Sequence, residues 1–366
     1  MRVLVFGAGA IGSLLGYRLA HAGHDVTLVG RSGYVRAVQM HGLLLEEGAA
    51  TNAARPKAVY PEAVERIVDL PVSRRAWDLI LLTVKAYDTY EAAQVLAPYV
   101  STGLPVLIVQ NGVGGEELAQ QVLEQAAIMS GVITLSVSVL TPGHISLETT
   151  RGGLSLAPTR EGQNVHNWAK IFAEAGLRTA TCRDYRAQKW SKLLLNMLAN
   201  AIPAILDMTP HAVFADPPLF AVERSAFLEA LAVMRALQLQ PVNLPGYPVP
   251  ILVWAMQTLP ASLLRPLLRR LVASGRGEKK PSLQMDLASG RQRSEALYLN
   301  GAVVTHAERM GLDAPVNEVL LRTLMGIASG NVPRDEFRGH PQKLVARIQD
   351  ARYKDTRCKI QDAGFQ

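Results

Sequence analysis

The chain has 366 residues, 49% hydrophobic and 19% charged, with 38 Lys and Arg against 31 Asp and Glu. That length fits about two domains, and the composition excludes a disordered chain. The formal charge of +7 is spread out with no Lys/Arg block, which excludes a nucleic-acid-binding arm and suits small anionic ligands.

The first element is an apolar strand, Arg2–Phe6, running into Gly7-Ala8-Gly9-Ala10-Ile11-Gly12 and then a helical pattern over Ser13–His21. A GxGxxG between a strand and a helix is the setting of a dinucleotide site. Gly7 allows the tight turn, Gly9 removes a Cβ that would block a pyrophosphate, and Gly12 lets helix and strand approach. The helix N-terminus offers free N–H groups to the phosphates. The second strand, Asp25–Val29, ends in Gly30-Arg31-Ser32. An NAD site carries an acid about here for the ribose hydroxyl. Arg31 stands there instead, and no acid follows until Glu46. A guanidinium binds a 2′-phosphate in a fork, so NADP(H) is the expected cofactor.

Three continuous apolar strands follow: Asp78–Val84 ending in Lys85, Pro105–Gln110 ending in Asn111, and Ala127–Thr134. A fourth is expected at Leu154–Ala157. Helical segments over Thr89–Pro98 and Glu116–Gln125 alternate with them. Such alternation predicts a doubly wound parallel sheet, with ligands beyond the carboxyl ends of the strands. Lys85 and Asn111 are polar residues at such ends; read as plain structure, they are a surface lysine and a turn residue.

From Tyr185 the pattern turns to long helices. Ala187–Leu206 reads as one apolar helix in which Lys192, Asn196 and Asn200 recur at spacing four, on one face. A lysine in such a helix needs a partner or a cleft, and burial suits it to give up a proton near neutral pH. Helices are expected over Ala221–Leu237 and Ile251–Val272, the latter basic near its end with Arg265, Arg269 and Arg270. Packing or dimer contact is the preferred role for that helix over a membrane surface. Ser282 and Asp286 start a further polar helix, followed by Ser294, Glu295 and Tyr298–Gly301. The residues after Asn331 are expected to pack loosely or fray. The divisions expected are 1–183, 184–335 and a tail, 336–366.

The two cysteines, Cys182 and Cys358, lack CxxC spacing, so neither a disulfide framework nor a metal site is expected, and the cytoplasm is the expected compartment. The tempting apolar stretch Val249–Leu264 is broken by Pro250 and Pro260, so no membrane span is expected.

GAGAIG, VGR, VKA at Lys85, QNGVG at Asn111, KWSKLLLN around Lys192, SLQMD and SEALYLNG occur in this order. Together they resemble the ketopantoate reductase (2-dehydropantoate 2-reductase) family over most of residues 1–330. The resemblance implies a Rossmann-type domain, then an all-helical domain, with the active site in the cleft between them. It implies hydride transfer from NADPH to 2-dehydropantoate, giving pantoate for pantothenate and coenzyme A synthesis. It places the proton-donating lysine on Lys192 and the family's glutamate on Glu295. Substrate-binding roles fall on Asn196, Asn200 and Ser282, and Asn111 serves nicotinamide and substrate. Lys85 falls on the lysine after the fourth strand and joins the cofactor site. The partner implied is a small anionic 2-oxo acid, and the many apolar helices suggest a homodimer.

The chain departs from the family where Leu297 replaces an Asp, where one more residue separates Asp286 from Glu295, and in a longer region 209–280. Val132–Val139 also lacks the family's small-residue pattern beside the cofactor. The alternatives are an NADP-dependent reductase of another 2-oxo acid or ketone, and an NADP-binding protein without turnover.

Overall fold

The computed structural model describes residues 1–47, 57–149, 151–276, 280–290 and 292–351. Two compact units emerge: Met1–Lys189 with Val242–Pro248, and Trp190–Pro241 with Val249–Gln366.

The first unit opens with β1 (Arg2–Phe6), α1 (Ala10–His21), β2 (Asp25–Val29) and α2 (Ser32–His41). Short strands follow: β3 (Leu43–Glu47), β4 (Ala58–Val59) and β5 (Glu62–Val64). Next come β6 (Leu79–Leu82), α3 (Thr89–Leu96), β7 (Pro105–Val109), α4 (Gly115–Val122) and β8 (Ala127–Ile133). A hairpin, β9 (Val137–Thr141) and β10 (His144–Leu147), leads to β11 (Leu154–Pro158), α5 (His166–Glu174) and β12 (Thr179–Thr181). The main sheet runs β12-β11-β8-β7-β6-β1-β2-β5. Its central strands are buried on both faces, which explains their unbroken apolar runs.

The sheet is parallel except where β11 pairs antiparallel with β8. The chain leaves β8 through the β9–β10 hairpin and returns without a crossover helix, so these two strands are not joined by the βαβ unit that usually links parallel neighbours. β9, β10, β3 and β4 form a second, four-stranded sheet that the apolar pattern did not predict. Its strands are two to five residues long, so they carry no long apolar run. Val242–Pro248 packs with this unit: the Thr134 hydroxyl donates to the Pro245 carbonyl at 2.7 Å and accepts from Gly153 N at 2.9 Å.

The second unit is helical. α6 (Tyr185–Met197) crosses the boundary, and α7 (Ala201–Leu206), α8 (Pro210–Ala215), α9 (Pro217–Ala236), α10 (Val249–Thr258) and α11 (Ala261–Arg276) follow. α12 (Ser282–Ala288), α13 (Asn300–Arg309), α14 (Pro315–Ser329) and α15 (Arg334–Phe337) complete it. Two predicted helices are split. The expected helix 187–206 breaks at 198–200, where Ala199 takes φ +48° and its N–H donates to the buried Glu223 carboxylate at 2.9 Å. The expected helix 251–272 breaks at Leu259 and Pro260, since the residue before a proline avoids the helical region. α9 starts earlier than expected because Asp216 caps it, accepting from Leu219 N at 2.9 Å, with Pro217 opening the first turn.

A half-buried carboxylate organises three helices. Glu229 of α9 accepts from the backbone N–H groups of Val316 and Asn317 at the start of α14, both at 3.0 Å. Asn317 in turn accepts from Asn300 of α13 at 2.9 Å. Negative charge at a helix start is favourable electrostatically.

The residues after Asn331 do not fray within the described range. Phe337, Leu344 and Ile348 are buried, and Gly339 N donates to the Leu206 carbonyl at 2.9 Å. Residues 352–366, with Cys358, lie outside the described residues. Asp207 fastens this segment: it accepts from Gln284 at 2.7 Å and from Arg338 at 2.8 Å. The hydrogen bond from Gln284, then those from Arg338 and the Arg334 charge, hold its carboxyl below the usual range against the opposing effect of burial. A depressed carboxyl adds stability above its unfolded value near 3.9, and loses it as pH falls through the lower folded value. Asp207→Asn keeps the left-handed backbone and removes the charge. It is expected to lower Tm by about 2 °C at neutral pH, with the difference shrinking as pH falls below the unfolded value and through the lower folded one, checked by melting across acid pH.

Candidate active site

β1 lies between β2 and β6, and the chain builds the sheet outward from it in both directions. That strand is the switch point where open α/β sheets bind ligands, beyond the carboxyl ends. Register places those ends side by side: Phe6 pairs with Val29 and Leu82, and Leu82 with Ile108. The Gly7–Gly12 turn, Arg31, Lys85 and Asn111 therefore gather along one edge, as the predicted strands required.

The glycine turn is fitted closely to its surroundings. Gly7 has φ +110°, and a Cβ there would come within 2.6 Å of Val84 N. A Cβ on Gly12 would run into the Gly7 carbonyl oxygen and come within 2.6 Å of Thr83 Oγ1. Thr83 Oγ1 itself donates to that Gly7 carbonyl at 2.8 Å. Around Gly9 a Cβ would meet nothing within 4 Å. Gly9 is thus not demanded by packing against the protein, whereas Gly7 and Gly12 are. Open space over Gly9, at the start of an α1 whose first turn has no acidic residue, fits a phosphate-bearing dinucleotide. Gly7, Ala8, Gly9, Ala10, Ile11 and Gly12 would hold its pyrophosphate.

Arg31 is exposed at the cap position of α2, and the first turn of α2 also lacks acids. Behind it stands Tyr34, which sequence reasoning missed. Its ring covers Gly30, where a Cβ would lie 2.8 Å from Tyr34 Cδ1, and its hydroxyl pairs with Ser13 at 2.9 Å. Burial pushes the Tyr34 hydroxyl up to about 12, so it stays a neutral hydrogen-bonding group. The pair locks the start of α2 to α1 and so fixes the turn that presents Arg31. Lys85 begins a 3₁₀ turn, Ala86–Asp88, directly after β6, and is half-buried. Asn111, also half-buried, follows Gln110 at the end of β7.

In the second unit Lys192 and Asn196 lie on α6, both half-buried. Asn200 is not a third residue on that helix, because the break at 198–200 makes it the cap of α7. Its buried amide donates to the Asn196 carbonyl at 3.0 Å and accepts from Leu283 N at 3.3 Å. Asn200 thereby ties α6 to the start of α12, whose first residue is Ser282. The break, invisible in the apolar pattern, is what brings Asn196, Asn200 and Ser282 into one neighbourhood. Glu295 is buried at the start of a 3₁₀ turn, Glu295–Tyr298, capped by Ser294. Leu297 is exposed on that turn.

A buried ion pair also escaped the sequence reading. Lys189 Nζ lies 2.8 Å from Glu116 Oε1, with the two side chains 3% and 2% exposed. Lys189 also donates to the Gln110 carbonyl at 2.9 Å. The Lys189 signal was present in KWSK, one turn before Lys192, but its partner could not be read from the chain.

A Rossmann-type unit with a glycine turn at its switch point, joined to a helical unit, defines a dinucleotide-dependent oxidoreductase. The model of the family described as ketopantoate reductase PanE/ApbA matches residues 3–161, and that of its C-terminal part matches residues 184–328. The chain belongs to this family. A curated relative from Pyrococcus horikoshii, named 2-dehydropantoate 2-reductase, is 30% identical over 322 residues, covering 87% of this chain and 95% of its own. The crystal structure of a PanE/ApbA family ketopantoate reductase from Ralstonia eutropha JMP134 superposes with a TM-score of 0.75 at 30% identity, covering 90% and 99% of the two chains. D-mandelate dehydrogenase, solved with NADH and anilino(oxo)acetate, shares the fold at a TM-score of 0.75 and 20% identity, covering 91% and 100%. No helix among the described residues is long and apolar enough to cross a membrane.

Gly12→Ala places a methyl against a backbone oxygen that cannot move without shifting β1. It is expected to cost about 1–3 kcal/mol of stability and to abolish dinucleotide binding, read by thermal melting with and without NADPH.

Proposed function

We propose that this protein reduces 2-dehydropantoate to (R)-pantoate with NADPH, a step towards pantothenate and coenzyme A. The observation that carries the reading is the family match through both units, with each motif residue in its element: the glycine turn after β1, Arg31 after β2, Lys85 after β6, Asn111 after β7, and Lys192 on α6. Supporting NADPH over NADH is Arg31, exposed at the start of an α2 whose first turn carries no acid to repel a 2′-phosphate.

Bound NADPH supplies the hydride. The chain's own residues position the oxo acid and manage its charge. Ser282, Asn196 and Asn200 hold the substrate's carboxylate and hydroxyl groups, and Asn111 and Lys85 line the nicotinamide side. As the keto carbon is reduced, its oxygen gains negative charge. Lys192 stabilises that charge as an ammonium and delivers a proton to the oxygen. Glu295 orients Lys192 or accepts from a substrate hydroxyl. The net positive chain favours two anionic ligands. The same reading places the enzyme in the cytoplasm. It also has it working as a homodimer, with a second copy covering the exposed Ile251, Trp254, Leu263 and Leu267 of α10 and α11.

Leu297 favours a second reading, in which the acid reduced is another 2-oxo acid with a less polar side chain. Oxidation of NADPH followed at 340 nm with 2-dehydropantoate and a panel of 2-oxo acids decides between them. Fastest turnover of 2-dehydropantoate is expected; faster turnover of another acid establishes the second reading. NADPH binding with no turnover at all would make the chain a cofactor-binding protein.

Lys192→Ala is expected to lower kcat by about a hundredfold or more while the Kd for NADPH changes little; an unchanged kcat removes Lys192 from the mechanism. Arg31→Ala is expected to raise KM for NADPH by about tenfold and leave KM for NADH alone, since it removes one charge-assisted phosphate contact. Equal changes with both cofactors would count against the 2′-phosphate role.

A further inference from the structure

The ion pair of Lys189 and Glu116 belongs to a larger buried cluster. Glu116 Oε1 accepts from the Ser130 hydroxyl of β8 at 2.6 Å as well as from Lys189. The Thr89 hydroxyl of α3 shares its proton between the Ala86 carbonyl at 2.7 Å and Gln110 Oε1 at 3.0 Å. The cluster therefore joins α3, α4, β8, the second turn of α6 and the end of β7. Its members stand next to residues of the proposed site. Ala86 follows Lys85, Gln110 precedes Asn111, and Lys189 lies one helical turn before Lys192.

Stability alone is a poor account of this arrangement. A buried ion pair is often no better than apolar side chains of the same volume. The Lys189 contact also reaches main chain: it fixes the carbonyl of Gln110, and so the plane of the Gln110–Asn111 peptide, from 79 residues away.

We infer that Lys189 and Glu116 are positioning residues for the reductase reaction, holding the Gln110–Asn111 peptide and the N-terminal half of the Lys192 helix in their working arrangement. This rests on the proposed roles of Asn111 and Lys192. Lys189 touches neither substrate nor cofactor in it; it acts through Asn111 and α6. Its ammonium is set by Glu116, whose Oε1 is set in turn by Ser130.

The test uses the full-length enzyme and separates positioning from folding. The double variant Lys189→Met with Glu116→Gln removes both buried charges together, so neither is left unpaired. Its Tm is expected within a few degrees of the parent and its Kd for NADPH within about threefold. Its kcat is expected to be lower by at least about tenfold, because sub-ångström misplacement of reacting groups is costly. A kcat that tracks a near-parental Tm would overturn the inference. Should the double variant not fold, Lys189→Arg keeps the charge but replaces a point ammonium with a planar fork. It is expected to lose about tenfold in kcat with NADPH affinity kept, and full kcat would overturn the inference equally. Amide exchange needs no turnover. Peptides covering Gln110–Gly114 and Tyr185–Met197 are expected to exchange at least about tenfold faster in either variant than in the parent, with the β1 peptide unchanged. Unchanged exchange in both peptides sinks the clasp. A parent silent on every 2-oxo acid, with the exchange result as expected, sinks the proposed reaction and leaves the clasp standing.

Discussion

The close approach of the β1–α1 turn to Thr83 is the constraint on which the cofactor end of this protein depends. There is no room for a side chain at Gly12, because the Gly7 carbonyl and Thr83 Oγ1 already occupy the space. Gly7 and Ala8 both donate to the Val29 carbonyl, and Thr83 N donates to that of Phe6. The ends of β1, β2 and β6 are thereby laced together by main chain. Three otherwise separate loops share one geometry, and the helix start of α1 is aimed over it. Tyr34 extends the same lacing to α2 through Ser13, so the arginine that follows β2 inherits its position from the turn.

Carboxylates do the corresponding work elsewhere. Glu116 meets Lys189, Glu223 supports the break before Asn200, and Glu229 caps α14. Each is a carboxylate placed where main-chain N–H groups or an ammonium would otherwise lack a partner. Each also fixes a place where the chain departs from regular structure or where one helix must begin against another. The apolar core supplies most of the favourable burial in both units, but it is tolerant of small slips. Charged hydrogen bonds at fixed distances are not, and they define which arrangement the core adopts.

Much of the fold was legible in the sequence. The central strands were found to within a residue or two, because strands buried on both faces leave unbroken apolar runs. The glycine turn and the place of Arg31 after β2 were legible because both depend on local spacing. The second sheet was not, since short half-exposed strands carry little pattern. The antiparallel β11 and the break at 198–200 were missed for a related reason. Both are set by contacts with distant segments: the hairpin returning from β8 in one case, and Glu223 in the other. The break changes the meaning of Asn200. Its spacing of four from Asn196 predicted a third residue on a helical face, and it stands instead as a cap that ties two helices to α12.

What the sequence by itself determined is therefore local or periodic: the strands of the central sheet, the glycine turn, the absence of an acid beside Arg31, the family, and the order of its motifs. Tertiary structure decided the pairings. Lys189 in KWSK reads like any helical lysine until the fold carries Gln110 and Glu116 to it. Spacing along the chain encodes helix faces and strand faces, because those repeat every few residues. It does not encode which buried charge meets which, because that partner is chosen by the packing of whole elements and by the cost of leaving either charge alone.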